Sequence, residues 1–274
     1  MPRPLLVGIL NITEDSFSDG GRYLDPAAAL AQARRLVAGG ADIVELGAAA
    51  SNVAAKTVPA EEEIRRLDPV IAALKADGAA VSIDTFRPET QRFALARGVA
   101  YLNDIQGFPD AAIYPDLAEA SCRLVVMHAV QGRGRARSVD LGPDEVWRRI
   151  ADFFAERIPR LERAGITRER LILDPGMGLF LSSRPEASLR VLVGLQELKQ
   201  AFGLPILISV SRKSFLARLT GRDDPAELGA ATLAAELYAA RHGADFIRTH
   251  DPAALRDALV VREALEQSAG SILG

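Results

Sequence analysis

The sequence has one cysteine, three histidines, three methionines and one tryptophan among 274 residues. A lone cysteine excludes an internal disulfide framework, and Cys122 heads an apolar run that reads as buried strand. Aromatic residues amount to only 5%, so the core must be filled by Leu, Ile, Val and Ala. No sign of charge dominates: 33 Lys and Arg meet 36 Asp and Glu, a net charge of -3. That balance excludes a global basic field for nucleic acid and leaves room for a local phosphate pocket. No apolar run approaches the roughly 20 residues of a membrane-spanning helix. Met1-Pro2-Arg3-Pro4 leads straight into a patterned strand, not a secretory leader, so the expected location is cytoplasmic. No His/Cys cluster has zinc spacing. His242, before a glycine at a helix end, reads as a capping or surface residue.

What is present is a regular alternation. Apolar runs at Leu5–Leu10, Asp42–Leu46, Ala80–Ile83, Ala100–Asn103, Arg123–Met127, Leu171–Leu173, Ile206–Val210 and Asp245–Thr249 read as strands. Ala-rich helical segments separate them, among them Asp110–Ala120, Pro143–Ala164, Glu186–Phe202, Pro225–His242 and Pro252–Gln267. Eight near-continuous apolar strands alternating with helices predict an α/β fold, a (β/α)8 TIM barrel of one domain spanning residues 1–274. Glycines at 40, 78, 98, 165, 203 and 243 suit the turns from helix back to strand. The rival is an open doubly wound sheet, but the Gly-x-Gly-x-x-Gly loop that would favour it is missing after the first strand.

Polar residues gather where the strands end: Asn11, Asp84, Asn103, Asp104, His128, Asp174, Ser209, Ser211, Arg212, Lys213, Arg248 and His250. In a barrel these positions converge on the C-terminal mouth. Any one Asp there suits a helix cap, yet capping does not call for Asn, Asp, His, Lys and Arg together. Ser211-Arg212-Lys213-Ser214 and Arg248-Thr249-His250 offer donors for an anion. Asp84, Asn103 and Asp174 offer acceptors for a heterocycle rich in N–H groups. The combination fits a pterin or purine carrying phosphate; an internal salt-bridge layer is the bland alternative.

Collinear motifs resemble the dihydropteroate synthase family. They run from Gly8-Ile9-Leu10-Asn11-Ile12-Thr13-Glu14-Asp15-Ser16-Phe17-Ser18-Asp19-Gly20-Gly21 through Ser82-Ile83-Asp84-Thr85, Leu102-Asn103-Asp104-Ile105 and Met127-His128. Leu173-Asp174-Pro175-Gly176-Met177-Gly178, Ser211-Arg212-Lys213-Ser214 and Arg248-Thr249-His250 continue them. The resemblance implies a cytoplasmic homodimeric enzyme that joins dihydropterin pyrophosphate to 4-aminobenzoate, with no nucleic-acid or membrane partner. By that match Asp84, Asn103, Asp174 and Lys213 hold the pterin beside Met127. Asn11, Arg248 and His250 hold the pyrophosphate, with Asn11 also reaching Mg2+. Catalysis would fall to Asp84, Lys213, Arg248 and His250, with Ser211 and Ser51 adding substrate contacts. The loop Thr13–Tyr23 would close over the reacting centre.

Two segments depart from the usual family pattern. After the second strand a Ser-Thr-Arg-Pro-Gly segment gives way to Ala50-Ser51-Asn52-Val53-Ala54, which loses a positive donor fork. After the sixth strand Leu179-Phe180-Leu181-Ser182-Ser183 makes a longer loop. Both departures resemble the plasmid-borne, sulfonamide-insensitive branch, and Phe180 is expected to narrow the aminobenzoate pocket against a tetrahedral sulfonyl group. Other readings are a drug-sensitive or partly insensitive synthase, a pterin-dependent methyltransferase and a non-catalytic pterin-binding protein.

Overall fold

A computed structural model describes residues 3–13, 24–49, 58–131 and 139–273. The chain alternates strand and helix throughout: β1 (Leu5–Asn11), α1 (Pro26–Ala38), β2 (Ile43–Gly47), α2 (Ala60–Ala76), β3 (Ala80–Asp84), α3 (Pro88–Ala96), β4 (Tyr101–Asp104), α4 (Tyr114–Glu119), β5 (Arg123–Met127) and α5 (Pro143–Arg163). The second half continues with β6 (Leu171–Asp174), α6 (Pro185–Val193), α7 (Leu195–Phe202), β7 (Leu207–Ile208), α8 (Ser214–Thr220), α9 (Gly229–Arg241), β8 (Phe246–Thr249) and α10 (Pro252–Leu273). All strand pairs are parallel, in the order β6-β5-β4-β3-β2-β1-β8-β7. A parallel bridge between Leu173 and Ile206 joins β6 to the start of β7. That bridge closes the sheet into a (β/α)8 barrel and removes the open-sheet alternative.

The register explains why the strands are apolar on both faces. Successive side chains alternate between the helices and the barrel interior. Leu6, Val44, Leu46, Val81, Ile83, Leu102, Leu124, Leu171 and Ile247 belong to the large core shared with the helices. The alternate set, Val7, Ile43, Val125, Ile172, Leu207 and Phe246, forms a separate buried cluster inside the barrel. Further along the same inward set come Glu45, Ser82, Asp84, Asn103 and Arg248, through the pairings Ile9↔Glu45, Glu45↔Ser82 and Asp84↔Asn103. The interior therefore changes from apolar to polar along the strand direction.

Local chemistry sets the boundaries. Asp25 caps α1 by accepting from Ala28 N at 3.0 Å, and Pro26 follows in the first turn. Gly243, at φ 105°, makes the turn from α9 into β8, a conformation that side-chain-bearing residues avoid. Four elements differ from expectation. The helix expected over 186–202 divides at Gly194, where a Cβ would lie 2.5 Å from the Trp147 ring of α5. The segments expected as helices from Asp110 and Pro225 begin with 3-10 turns, leaving α4 and α9 shorter. The seventh strand, expected over Ile206–Val210, has Ile206 as a single bridge to Leu173 and spans only Leu207 and Ile208. Beyond them the chain turns through Arg212 at φ 57°.

Candidate active site

The C-terminal mouth holds a cleft lined by Asp84, Asn103, Ile105, Met127, Asp174, Met177, Phe180, Ser209, Lys213 and Arg248. Seven residues expected to bind substrate thus share one cavity: Asp84, Asn103, Met127, Asp174, Phe180, Lys213 and Arg248. Each acceptor comes from a strand end, where the backbone is fixed by neighbours on both sides. Asp174 spends one oxygen on its own turn, accepting from Gly176 N at 2.8 Å. Gly176 is required there, since a Cβ would stand 2.5 Å from the His128 carbonyl oxygen. Lys213 is delivered by the left-handed Arg212, whose N–H donates to Thr232 Oγ1 at 3.1 Å. A non-glycine residue in that region carries strain of about 1 kcal/mol or more. The Lys213 ammonium lies 5.3 Å from the centre of the Phe180 ring.

Three residues expected at the site lie beside the cleft. Asn11 ends β1, half-buried, with Oδ1 3.6 Å from where a Cβ on Gly47 would sit. Ser211 Oγ lies 2.9 Å from His250 Nδ1 and accepts from the His250 backbone N–H at 3.2 Å. Ser211 thereby ties the ends of β7 and β8 together. Ser51 and the Asn52 segment lie outside the described residues, as do residues 14–23 of the first loop. Asp104 and His128 serve the scaffold. Asp104 accepts from Gln106 N at 2.7 Å and Gln91 Nε2 at 2.9 Å. His128 Nδ1 is 3.1 Å from the Pro175 carbonyl, and its ring meets Phe153 edge-on at 5.4 Å. His242 ends α9 and stacks on Tyr238.

The charges are tightly placed. Arg248 donates Nε to Glu45 and Nη2 to Asp84 Oδ2 at 3.2 Å. Glu45 Oε2 accepts from Ser82 Oγ at 2.8 Å and Asn103 Nδ2 at 3.2 Å. Glu45, only 1% exposed, is the charged residue of this network that the strand-end reading missed, because it sits two positions inside β2. Its signal was available: a carboxylate inside Ile43-Val44-Glu45-Leu46 interrupts an otherwise apolar strand. Burial raises the Asp84 carboxyl to about 7; Arg248 opposes the rise while Glu45 and Asp104 add to it. Burial likewise raises Asp174 to about 6. Burial, then Arg248, lowers the Lys213 ammonium to about 8. His250 is held well below the usual imidazole range by burial and by Arg212, Arg248 and Lys213. Among the described residues, Asn103 Oδ1 and Ser209 Oγ are buried without a hydrogen-bond partner. Such atoms are costly unless a ligand or water satisfies them.

Residues 7–250 match the family of pterin binding enzymes. A type-2 dihydropteroate synthase of Escherichia coli is 59% identical over 265 residues, 97% of each chain. The chain belongs to the dihydropteroate synthase family. Among structures of that family, the Xanthomonas albilineans dihydropteroate synthase with 4-aminobenzoic acid has a TM-score of 0.86 at 38% identity, covering 96% of this chain and 93% of its own. The same organism's dihydropteroate synthase in complex with 7,8-dihydropteroate gives 0.81 at 35% identity, with 96% and 93% covered.

Proposed function

We propose that the chain is a dihydropteroate synthase, a transferase that condenses 6-hydroxymethyl-7,8-dihydropterin pyrophosphate with 4-aminobenzoate. The observation that carries this reading is the convergence of Asp84, Asn103 and Asp174 with Lys213 in one buried cleft. Asp84 and Asp174 accept from the amino and ring N–H groups of the pterin, Asn103 adds its carbonyl, and Lys213 donates to a ring acceptor. Met127 and Ile105 supply an apolar face. Arg248 stands between pterin and side arm. Asn11 and His250 face the pyrophosphate, His250 as a neutral donor fixed by Ser211. As the methylene–oxygen bond breaks, Asp84 stabilises the cationic methylene and the donors of Arg248 and His250 meet the charge on the departing oxygen. The aminobenzoate nitrogen then bonds to the methylene carbon and its proton leaves to the aqueous mouth. No enzyme nucleophile is required.

Asn11 is the protein ligand proposed for Mg2+. Among the described residues, no group of three or more His, Cys, Asp or Glu could hold a metal. This donor set suits a hard cation bound mainly through substrate phosphates and water. When bound, Mg2+ neutralises charge on the leaving group. We read the chain as one domain, working as a cytoplasmic homodimer. Among the described residues no helix is long and apolar enough to cross a membrane.

Sulfonamide insensitivity is proposed on the position of Phe180. Its ring packs with Ile105 and Met127 and lies beside Lys213, inside the cleft and not on the surface. A flat carboxylate passes such a ring more easily than a tetrahedral sulfonyl group. The decisive assay follows dihydropteroate formation with Mg2+ while titrating sulfamethoxazole. Turnover that survives drug concentrations sufficient to stop an ordinary synthase is expected, with Phe180→Ala restoring inhibition by about tenfold or more. Ordinary inhibition of the unmodified protein would remove the insensitivity and leave the synthase. Pterin binding without aminobenzoate-dependent product would favour a binding protein.

A further inference from the structure

Glu45 presents a buried carboxylate with every near partner identified. One oxygen takes the Arg248 guanidinium, and the other takes Ser82 Oγ and Asn103 Nδ2. A carboxylate only accepts, so the Asn103 amide must turn its NH2 inward to Glu45. Its carbonyl oxygen is thereby aimed at the cleft, where it is buried without a partner among the described residues. With an Asn103 amide free to rotate, the ligand would meet a donor as often as an acceptor. Glu45 also holds Arg248 by Nε, while Nη2 donates to Asp84 Oδ2 at 3.2 Å.

We infer that Glu45 is a positioning residue for pterin recognition: it fixes Asn103 as an acceptor and restrains Arg248, so that Asp84 stays available to the ligand. The inference rests on the synthase reading for its substrate. Around Asp84 stand Glu45 on β2, Asn103 and Asp104 on β4, Asp174 on β6, Lys213 after β7 and Arg248 on β8. Glu45 and Asp104 favour protonation of Asp84, whereas Arg248 and Lys213 oppose it. Removing the charge of Glu45 lets Arg248 close on Asp84, so the acid limb of the pH profile moves down.

Glu45→Gln keeps the volume of the side chain and removes both effects, because a glutamine amide accommodates either orientation of Asn103. The expected result is a KM for the pterin substrate at least tenfold higher, with the KM for 4-aminobenzoate within twofold. The acid limb of kcat/KM moves down by about one pH unit. Calorimetric binding of 6-hydroxymethylpterin weakens by the same factor. A folded variant with pterin KM, pterin affinity and pH profile all unchanged overturns the inference, as does an equal rise in both KM values. If the unmodified protein binds 6-hydroxymethylpterin but makes no dihydropteroate, the synthase reading falls, and pterin affinity alone decides Glu45. Should Glu45→Gln not fold, Ser82→Ala decides, because it removes one of the two donors to Oε2. A rise of about threefold or more in pterin KM alone supports the inference, and unchanged KM values overturn it.

Discussion

The two ends of the barrel interior are built on the same strands and obey opposite rules. At the N-terminal end Val7, Ile43, Val125, Ile172, Leu207 and Phe246 fill the barrel with apolar side chains. Two residues further along, β2 offers Glu45 in place of Ile43, β6 offers Asp174 in place of Ile172, and β8 offers Arg248 in place of Phe246. The first end loses stability if truncated, because close packing leaves no means of filling the gap. The second holds buried charges whose partners are mostly one another, a costly arrangement that a ligand's own charges relieve. What separates plug from site is thus a single step of the two-residue period, not a change of element.

The largest expected effect is on the charged end. Asp84→Asn should lower kcat/KM for the pterin substrate by about 100- to 1,000-fold, as read by steady-state dihydropteroate formation. A loss under tenfold would remove Asp84 from the reacting centre. Ile172→Ala, at the apolar end, should instead destabilise by about 2–5 kcal/mol in chemical denaturation. Both KM values should stay within twofold, and a selective rise in pterin KM would show that the two ends are coupled. The smallest effect sharpens the electrostatic contrast. Asp84 and Asp174 have folded values near 7 and 6, above the ordinary 3.8. Their neutral forms suit the fold, so that contribution to stability is full below about pH 4. It declines as pH rises through 6 to 7. In the ligand-free protein the Tm of Asp84→Asn should therefore gain on that of the unmodified chain between pH 4 and 8. A difference independent of pH would show that Asp84 is not strained by burial.

Much of this was legible from residue order. The strand spacing gave eight elements because a two-sided burial demands unbroken apolar runs, and polar breaks marked their C-terminal ends. Asp84, Asn103, Asp174, Lys213 and Arg248 were visible as strand-end residues, and the family motifs sharpened their roles. Glu45 was not selected, since the rule of strand ends passes over a position two residues inside β2. The break at Gly194 was also hidden. A Cβ there would meet the Trp147 ring of α5, about fifty residues away in the chain. Nor could composition distinguish Asp104 and His128, whose polar atoms serve Gln91, Gln106 and Pro175, from the neighbours that face the cleft.

By itself the sequence determined the alternation of elements, the family and the identity of most cleft residues, because these follow from periodicity and local motif. The tertiary structure alone decided which polar groups spend their hydrogen bonds on the scaffold and which keep one for a ligand. It also set the raised carboxyls and lowered ammonium of the mouth. Those properties depend on distances between strands far apart in the chain: Glu45 and Arg248 meet because β2 and β8 both pair with β1.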